Sequence, residues 1–356
     1  MESKSVLITG GAGFVGSHLA IAFRQAFPDL HVTALDNLKR RGSELNLPRL
    51  AAADVRFCHG DVRCAEDLAS APEFDLLVDA SAEPSVQAGL AGSPRYVLET
   101  NLVGTINCLE AARTRGAAFL FLSTSRVYPI ARLNELPYAE TETRFRWQPT
   151  AGWPGFSEHG IGEDFPLDGA RSFYGASKLA CEQLIQEYVN CYGMRAVINR
   201  CGVLAGPWQM GKADQGVVTL WVARHYFDRP LSYLGFGGGG KQVRDVLHVQ
   251  DLCDLVLLQT ASFDRWDGRV YNVGGGNDGA VSLQELTAQC AAETGRRVPI
   301  ASVDETARAD LRIYVTDSRR VASDFGWRPS RTVSTTIHDI CLWIHAHRES
   351  LANVLT

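Results

Sequence analysis

Three glycines spaced by two residues, in Val6-Leu7-Ile8-Thr9-Gly10-Gly11-Ala12-Gly13-Phe14-Val15-Gly16, constrain this chain more than any other feature. They separate a short apolar run from an amphipathic stretch, so the segment reads as strand, tight turn, helix. Without Cβ the turn can close tightly and the backbone can approach a pyrophosphate, whose charge then rests on the helix N-terminus. The same alternation continues, with strands predicted at Ser5–Thr9, His31–Asp36, Val55–Gly60, Leu76–Ala80 and Phe119–Ser123 and helices over 14–27, 64–71 and 93–115. Alternating elements of this kind build an α/β fold, a parallel sheet covered by helices. Right-handed crossovers and a ligand loop at the first strand favour a doubly wound sheet over a barrel.

Beyond 129 the periodicity lapses until 172, in a stretch of Pro, Gly, Trp and acidic residues that reads as a lid or binding loop. Helix 174–192 and strand Ala196–Arg200 restore order. A Gly/Pro-rich segment (202–216), a Gly237–Gly240 run, a strand near 245–249 and helices near 251–261, 282–294, 318–325 and 334–348 follow. We read residues 1–200, with 245–275 returning to them, as one domain, and 201–244 with 276–356 as a smaller, interleaved C-terminal substrate lobe that encloses a cleft above the strand ends.

The 356 residues carry 35 Lys+Arg against 40 Asp+Glu, with the two signs interspersed, so no broad cationic face offers itself to nucleic acid or to a lipid surface. Nine cysteines (58, 64, 108, 181, 191, 201, 253, 290, 341) form no CxxC pair and mostly sit in apolar runs, which points to a reducing compartment. No signal-like N-terminus and no stretch of membrane-spanning length is present, so a cytoplasmic protein with no membrane partner is expected. The histidines lack metal spacing, and no metal is expected.

Asp36 ends the second predicted strand 20 residues after Gly16. A carboxylate there can accept both ribose hydroxyls of an adenosine and repels a 2′-phosphate, which selects NAD over NADP. Lys39, Arg40 and Arg41 could meet a phosphate but read as a solvated basic loop. The GxxGxxG spacing resembles the extended short-chain dehydrogenase/reductase family of nucleotide-sugar-modifying enzymes. The resemblance implies a Rossmann domain, a hydroxyl at the end of the fifth strand and a YxxxK helix, and the chain supplies Ser123-Thr124-Ser125-Arg126-Val127-Tyr128 and Tyr174-Gly175-Ala176-Ser177-Lys178. A phenol with an ordinary pKa of about 10 is a poor base at neutral pH, so it needs an adjacent ammonium to favour the phenolate. Lys178, on the same helix face, supplies it and can hold the nicotinamide ribose. The resemblance implies Thr124, Tyr174 and Lys178 as the catalytic set. Ser125 is the lesser hydroxyl candidate, because neighbouring strand side chains point to opposite faces.

By the same resemblance, Gly10, Gly13, Phe14, Val15, Gly16, Asp36, Asn37, Leu38, Arg40, Asp61, Val62, Ala80, Ala82, Asn101 and Cys201 contact NAD together with Tyr174 and Lys178. Glu83, Ser125, Arg126, Gln209, Lys212, Gln215, Arg244 and Arg308 face the sugar nucleotide, the last two clamping its diphosphate. His248 reads as structural, beside Asp251 at a helix start, and Trp147, Trp153 and Trp208 line a pocket or fill the core.

The stretch from Ile198 to Gly216, the segment Asp36–Gly42, the loop Glu158–Phe165 and the helix Tyr174–Glu182 are similar to those of 2-epimerases of the CDP-paratose/CDP-tyvelose type. That likeness implies a redox-neutral inversion at C2 of a nucleotide-diphosphate hexose, through a keto-sugar, by a homodimer joined through helices 93–115 and 174–192. The 4,6-dehydratases of the family place an Asp-Glu pair after the Thr, where this chain has Ser125-Arg126. It also reads Arg126-Val127-Tyr128-Pro129 where Lys-Val-Tyr-Gly is usual, and has no diphosphate-binding Asn near Val203. A 4-epimerase and a 4-keto-sugar reductase remain alternatives, with a non-catalytic NAD-sensing regulator more distant because the triad is intact.

Overall fold

In the computed structural model the described residues are 4–150, 152–210 and 216–355. They gather into two units, Met1–Val127 with Ser172–Arg200 and Leu252–Tyr271, and Tyr128–Arg171 with Cys201–Asp251 and Asn272–Thr356. Residues 128–171, within the span that the periodicity reading gave to the first domain, group with the second unit. The described residues of this stretch carry only a short helix and small hairpins that complete no strand of the large sheet. Among the described residues no helix is long and apolar enough to cross a membrane.

The first unit is built on seven strands: β1 (Ser5–Thr9), β2 (His31–Asp36), β3 (Arg56–His59), β4 (Leu76–Asp79), β5 (Ala118–Thr124), β6 (Ala196–Cys201) and β7 (Asp267–Val273). Their order in the sheet is β7-β6-β5-β4-β1-β2-β3. The pairings β1–β2, β1–β4, β2–β3 and β4–β5 are all parallel. The strand order therefore reverses between β1 and β4, which in a doubly wound sheet is where a crevice opens at the carboxyl ends of the strands. Every residue of β5 is buried, the continuous apolar run expected of a strand covered on both faces. Leu7, Leu35, Leu77, Phe119, Phe121 and Ile198 form its core with residues of the covering helices.

Helix α1 (Phe14–Ala26) follows the glycine turn, α2 (Gly104–Arg115) precedes β5, and α3 (Phe173–Tyr192) precedes β6. The helix expected over 93–115 is interrupted: Arg95–Leu98 is α-helical, Glu99–Val103 is a π-turn, and α2 begins only at Gly104. A π-bulge adds a residue to one turn and re-aims what it carries, and here the bulge buries Asn101 completely. Gly104 suits the restart because a Cβ there would lie 2.7 Å from Val62 Cγ2. Strand β7 was not legible, since in Asp-Gly-Arg-Val-Tyr-Asn-Val the apolar signal is confined to its second half and it lies at the sheet edge.

The second unit has a four-stranded mixed sheet. Val243–His248 lies parallel to Val203–Ala205 and to Ile313–Tyr314, and antiparallel to Ala280–Ser282. Helices Val217–Tyr226, Leu283–Thr294 and Val333–Ala346 pack on one another. The first of them falls just after the Gly/Pro-rich segment and lacks any side-chain cap, which left no start signal to read. The third is capped by Thr332, whose hydroxyl accepts from Thr335 N–H.

Candidate active site

The glycine turn needs glycine for steric reasons that can be read atom by atom. Gly10 has φ +63°, and a Cβ there would sit 2.7 Å from the Ala80 carbonyl oxygen, at the end of β4. At Gly16 a Cβ would come within 2.1 Å of the Gly10 oxygen. The N-cap of α1 is Gly13, which has no side chain to satisfy the first N–H groups of the helix. Phe14, Val15 and Gly16 open that helix, so their amides and its dipole face an anion site of the pyrophosphate type.

Asp36 ends β2 next to this turn. Its Oδ2 accepts from Ala12 N–H at 3.1 Å and its Oδ1 from Leu38 N–H at 2.8 Å. Burial pushes its carboxyl above the ordinary range against those bonds. Asn37 donates to Asp61 at 2.9 Å, and a hydrogen bond from the Arg63 guanidinium holds Asp61 well below the usual carboxylate range. Val62 is buried beside them and its carbonyl takes the Asn107 amide. Of the basic loop, Lys39 places its ammonium 5.4 Å from the Tyr96 ring centroid, a ring that Arg63 also faces at 5.2 Å. The half-buried Arg40 offers its carbonyl to Ser43 N–H. The chemistry of this set fits a dinucleotide: backbone donors for a pyrophosphate and a fixed carboxylate for a ribose diol.

Thr124 closes β5, and its hydroxyl accepts from Arg126 N–H at 3.1 Å, capping the short turn Ser125–Val127. Ser125 is buried in that turn, while Arg126 is half-buried. Ser172 caps α3 through Gly175 N–H, which sets Tyr174 in the first turn with its side chain partly exposed. One turn later Lys178 is almost wholly buried. Its Nζ lies 3.5 Å from the Ser81 oxygen and 4.3 Å from the Phe121 ring centroid. Asn101, from the π-turn, accepts from Glu83 N–H and donates to the Glu83 carbonyl and to Ser177 Oγ. Its amide thus ties the Ala80–Ala82–Glu83 loop to α3. The Glu83 carboxylate accepts from Ser85 N–H at 3.2 Å.

Sequence reasoning missed the groups behind this constellation. Asp79 takes the hydroxyls of Thr9 and Thr105, and Glu182 takes Ser123 Oγ and the Arg200 guanidinium, all of them buried. The available signal was opposite charges embedded in apolar runs, Glu182 on a helix face that must meet the sheet and Arg200 within Ala-Val-Ile-Asn-Arg-Cys.

The remaining predicted residues belong to the second unit. Cys201 is buried at the end of β6. Gln209 spends its amide within its own segment, on the Leu204 carbonyl and the Thr219 hydroxyl. Lys212 and Gln215 lie outside the described residues. Arg244 donates to Asp310 Oδ1 at 2.8 Å and to the Val243 and Leu311 carbonyls, while Arg308 is exposed. His248 is buried and its Nδ1 accepts from Gln250 N–H, the structural place expected of it. Trp147 packs edge-on against Phe156, and Trp208 lies over Trp343 and His347. Among the described residues no cluster of His, Cys, Asp or Glu has the arrangement to hold a metal.

Asp245, beside Arg244, is fully buried. Its Oδ2 accepts from Gly276 and Thr316 N–H, whereas Oδ1 has no hydrogen-bond partner among the described residues. Burial pushes this carboxyl above its ordinary value. A raised folded-state value means that ionisation opposes folding, so the penalty is absent below about pH 4 and grows as pH rises toward the folded value. Asp245→Asn keeps an acceptor for both N–H groups and removes the charge. Thermal unfolding across pH is expected to show a higher Tm for the variant at pH 7 and no gain near pH 4, and an equal gain at both would contradict the assignment.

Against known proteins, the family described as "NAD dependent epimerase/dehydratase family" matches residues 6–274. A CDP-paratose 2-epimerase from Salmonella typhi is 30% identical over 350 residues, covering 95% of this chain and 98% of the relative. A dTDP-glucose 4,6-dehydratase from Actinoplanes is 31% identical over 359 residues, covering 96% and 98%. Among solved structures, a UDP-glucose 4-epimerase from Thermus thermophilus in complex with NAD superposes with a TM-score of 0.76 at 27% identity, covering 96% of this chain and 99% of that one.

Proposed function

The chain belongs to the NAD dependent epimerase/dehydratase family, and from that premise we propose that it is an NAD-dependent epimerase of a nucleotide-diphosphate sugar, acting at C2 of a CDP-linked hexose of the paratose/tyvelose type. When bound, NAD supplies a reversible hydride acceptor, so the overall reaction is redox-neutral. Tyr174 takes the proton from the sugar hydroxyl as that carbon is oxidised and returns it to the same oxygen afterwards. The Lys178 ammonium favours the phenolate, and Thr124 holds the oxygen by a hydrogen bond. Asp36 and the amides of Phe14, Val15 and Gly16 hold the dinucleotide. Arg244 and Arg308 take the sugar's diphosphate through planar, bidentate donors. Because binding energy then comes from a part of the substrate remote from the reacting carbon, the ring is free to turn its other face before it is reduced.

The observation that carries an epimerase rather than a dehydratase is the pair that follows Thr124. Expelling water from the oxidised sugar needs an acid and a base beside it, and Ser125-Arg126 offers no carboxyl group. The likeness to the CDP-paratose enzyme over 95% of the chain supports C2. The test is to incubate purified protein, with no added cofactor, with CDP-, GDP- and UDP-hexoses and to follow the sugar ring protons by NMR. Interconversion of 2-epimers is the expected result. An unchanged panel from protein that releases NAD on denaturation would overturn C2 epimerisation and turn attention to 4-keto-sugar reduction.

We also propose that the enzyme works in the cytoplasm as a homodimer joined through α2 and α3. An outward groove between them is lined by Leu102, Ile106 and Leu184. Val103, next to Leu102, and Tyr192, the last residue of α3, are exposed at 42% and 60%. Sedimentation that returns a monomer mass would refute the dimer.

A further inference from the structure

Lys178 and Glu182 are four residues apart on α3, so they share one helix face, and both are buried, at 1% and 2% exposure. A carboxylate so placed is a natural partner for the ammonium, whose four-carbon stem can swing to meet it. It does not do so. The Arg200 guanidinium closes on Glu182 from β6, with Nε 3.0 Å from Oε1 and 3.1 Å from Oε2, and Nη2 2.7 Å from Oε2. Ser123, the residue before Thr124, donates to Oε1 at 2.5 Å. Each carboxylate oxygen thus accepts from two donors. The Lys178 Nζ instead rests on the Phe121 ring and toward the Ser81 carbonyl.

We propose that Arg200 is a positioning residue: by neutralising Glu182 in a closed bidentate pair, it leaves the Lys178 ammonium committed to Tyr174. The inference rests on the reading of Tyr174 as the base, and not on which sugar is bound. The other titratable groups that face Lys178 do not substitute for Arg200. Cys181 on the same helix and Cys108 on α2 feel the charge of Lys178, and both thiols also feel that of Asp79 on β4. Asp79 is already held by the hydroxyls of Thr9 and Thr105 and by Ser81 N–H, and burial pushes both thiols up, so neither carries charge at neutral pH. Without Arg200, Glu182 becomes an unmatched buried charge on the helix face it shares with Lys178, and it draws on the cation that the proposed mechanism gives to the phenolate.

The test is an ultraviolet difference titration of the Tyr174 tyrosinate, with the Tyr174→Phe protein subtracted, on NAD-loaded and NAD-free enzyme, beside the pH profile of turnover. In Arg200→Met the tyrosinate midpoint is expected to move to higher pH, leaving about tenfold less phenolate at pH 7. Combining it with Glu182→Leu removes both charges and is expected to return the midpoint to the wild-type pH. Arg200→Lys, which keeps the charge and loses the fork, is expected to keep the wild-type midpoint at lower stability. Should Arg200→Met fail to fold, Arg200→Gln, which also removes the charge, takes its place in the titration with the same expected displacement. A wild-type midpoint in a folded Arg200→Met, or a displaced midpoint in the double variant, overturns the proposal. Absence of sugar turnover in the wild type would instead count against the epimerase reading and leave the titration informative.

Discussion

Tyr174→Phe is expected to lower kcat by about a thousandfold while the purified variant still carries NAD. The substitution removes one oxygen from a partly exposed side chain in the first turn of α3 and leaves Ser172's cap on Gly175 N–H in place. The glycine turn and Asp36, proposed to hold the dinucleotide, are untouched. NAD released on denaturation, quantified beside turnover of the same preparation, separates the two effects. A variant within tenfold of wild type would remove Tyr174 from the mechanism.

Gly16→Ala should act at the opposite end of the site and more destructively. The added methyl would lie 2.1 Å from the Gly10 oxygen, 2.8 Å from its carbonyl carbon and 2.9 Å from Gly11 Cα. All three are backbone atoms, so no side chain can swing away and the turn itself must open. We expect the purified variant to carry no NAD and to lose about 2 kcal/mol of stability from the strain alone. Gly92→Ala serves as the control, because a Cβ there meets nothing within 4 Å and the residue has no positive φ. Equal NAD content in the two variants would show that the turn is not where the dinucleotide binds.

What could be read from the amino-acid sequence was whatever depends on local spacing. The glycine turn, Asp36 at the end of β2, the hydroxyl closing β5 and the Tyr174–Lys178 pair all express a single element or one turn between two, and the structure sets each in such an element. What could not be read was decided by partners distant in the chain. Glu182 and Arg200 are ordinary charged residues until α3 is laid against β5 and β6. Gln209, expected to grip a ligand, instead donates to the Leu204 carbonyl and accepts from the Thr219 hydroxyl, a choice made only when helix Val217–Tyr226 forms beside it. The π-turn at Glu99–Val103 left no mark in the periodicity, because one inserted residue is hidden within an otherwise continuous helical pattern.

The order of strands in the large sheet also sets a timetable for synthesis. β5 pairs with β4 on one side, but its other neighbour is β6, which begins at Ala196, some 70 residues after β5 ends at Thr124. At 5–20 residues per second the ribosome needs roughly 4–14 s to cross that interval. Throughout it, Ala-Phe-Leu-Phe-Leu-Ser-Thr stands as an open edge of uncharged, aggregation-prone sequence with no proline to blunt it. The nascent chain at this stage is a natural client for a holding chaperone, and the strand that ends in Thr124 is safe from intermolecular pairing only once residue 201 has emerged.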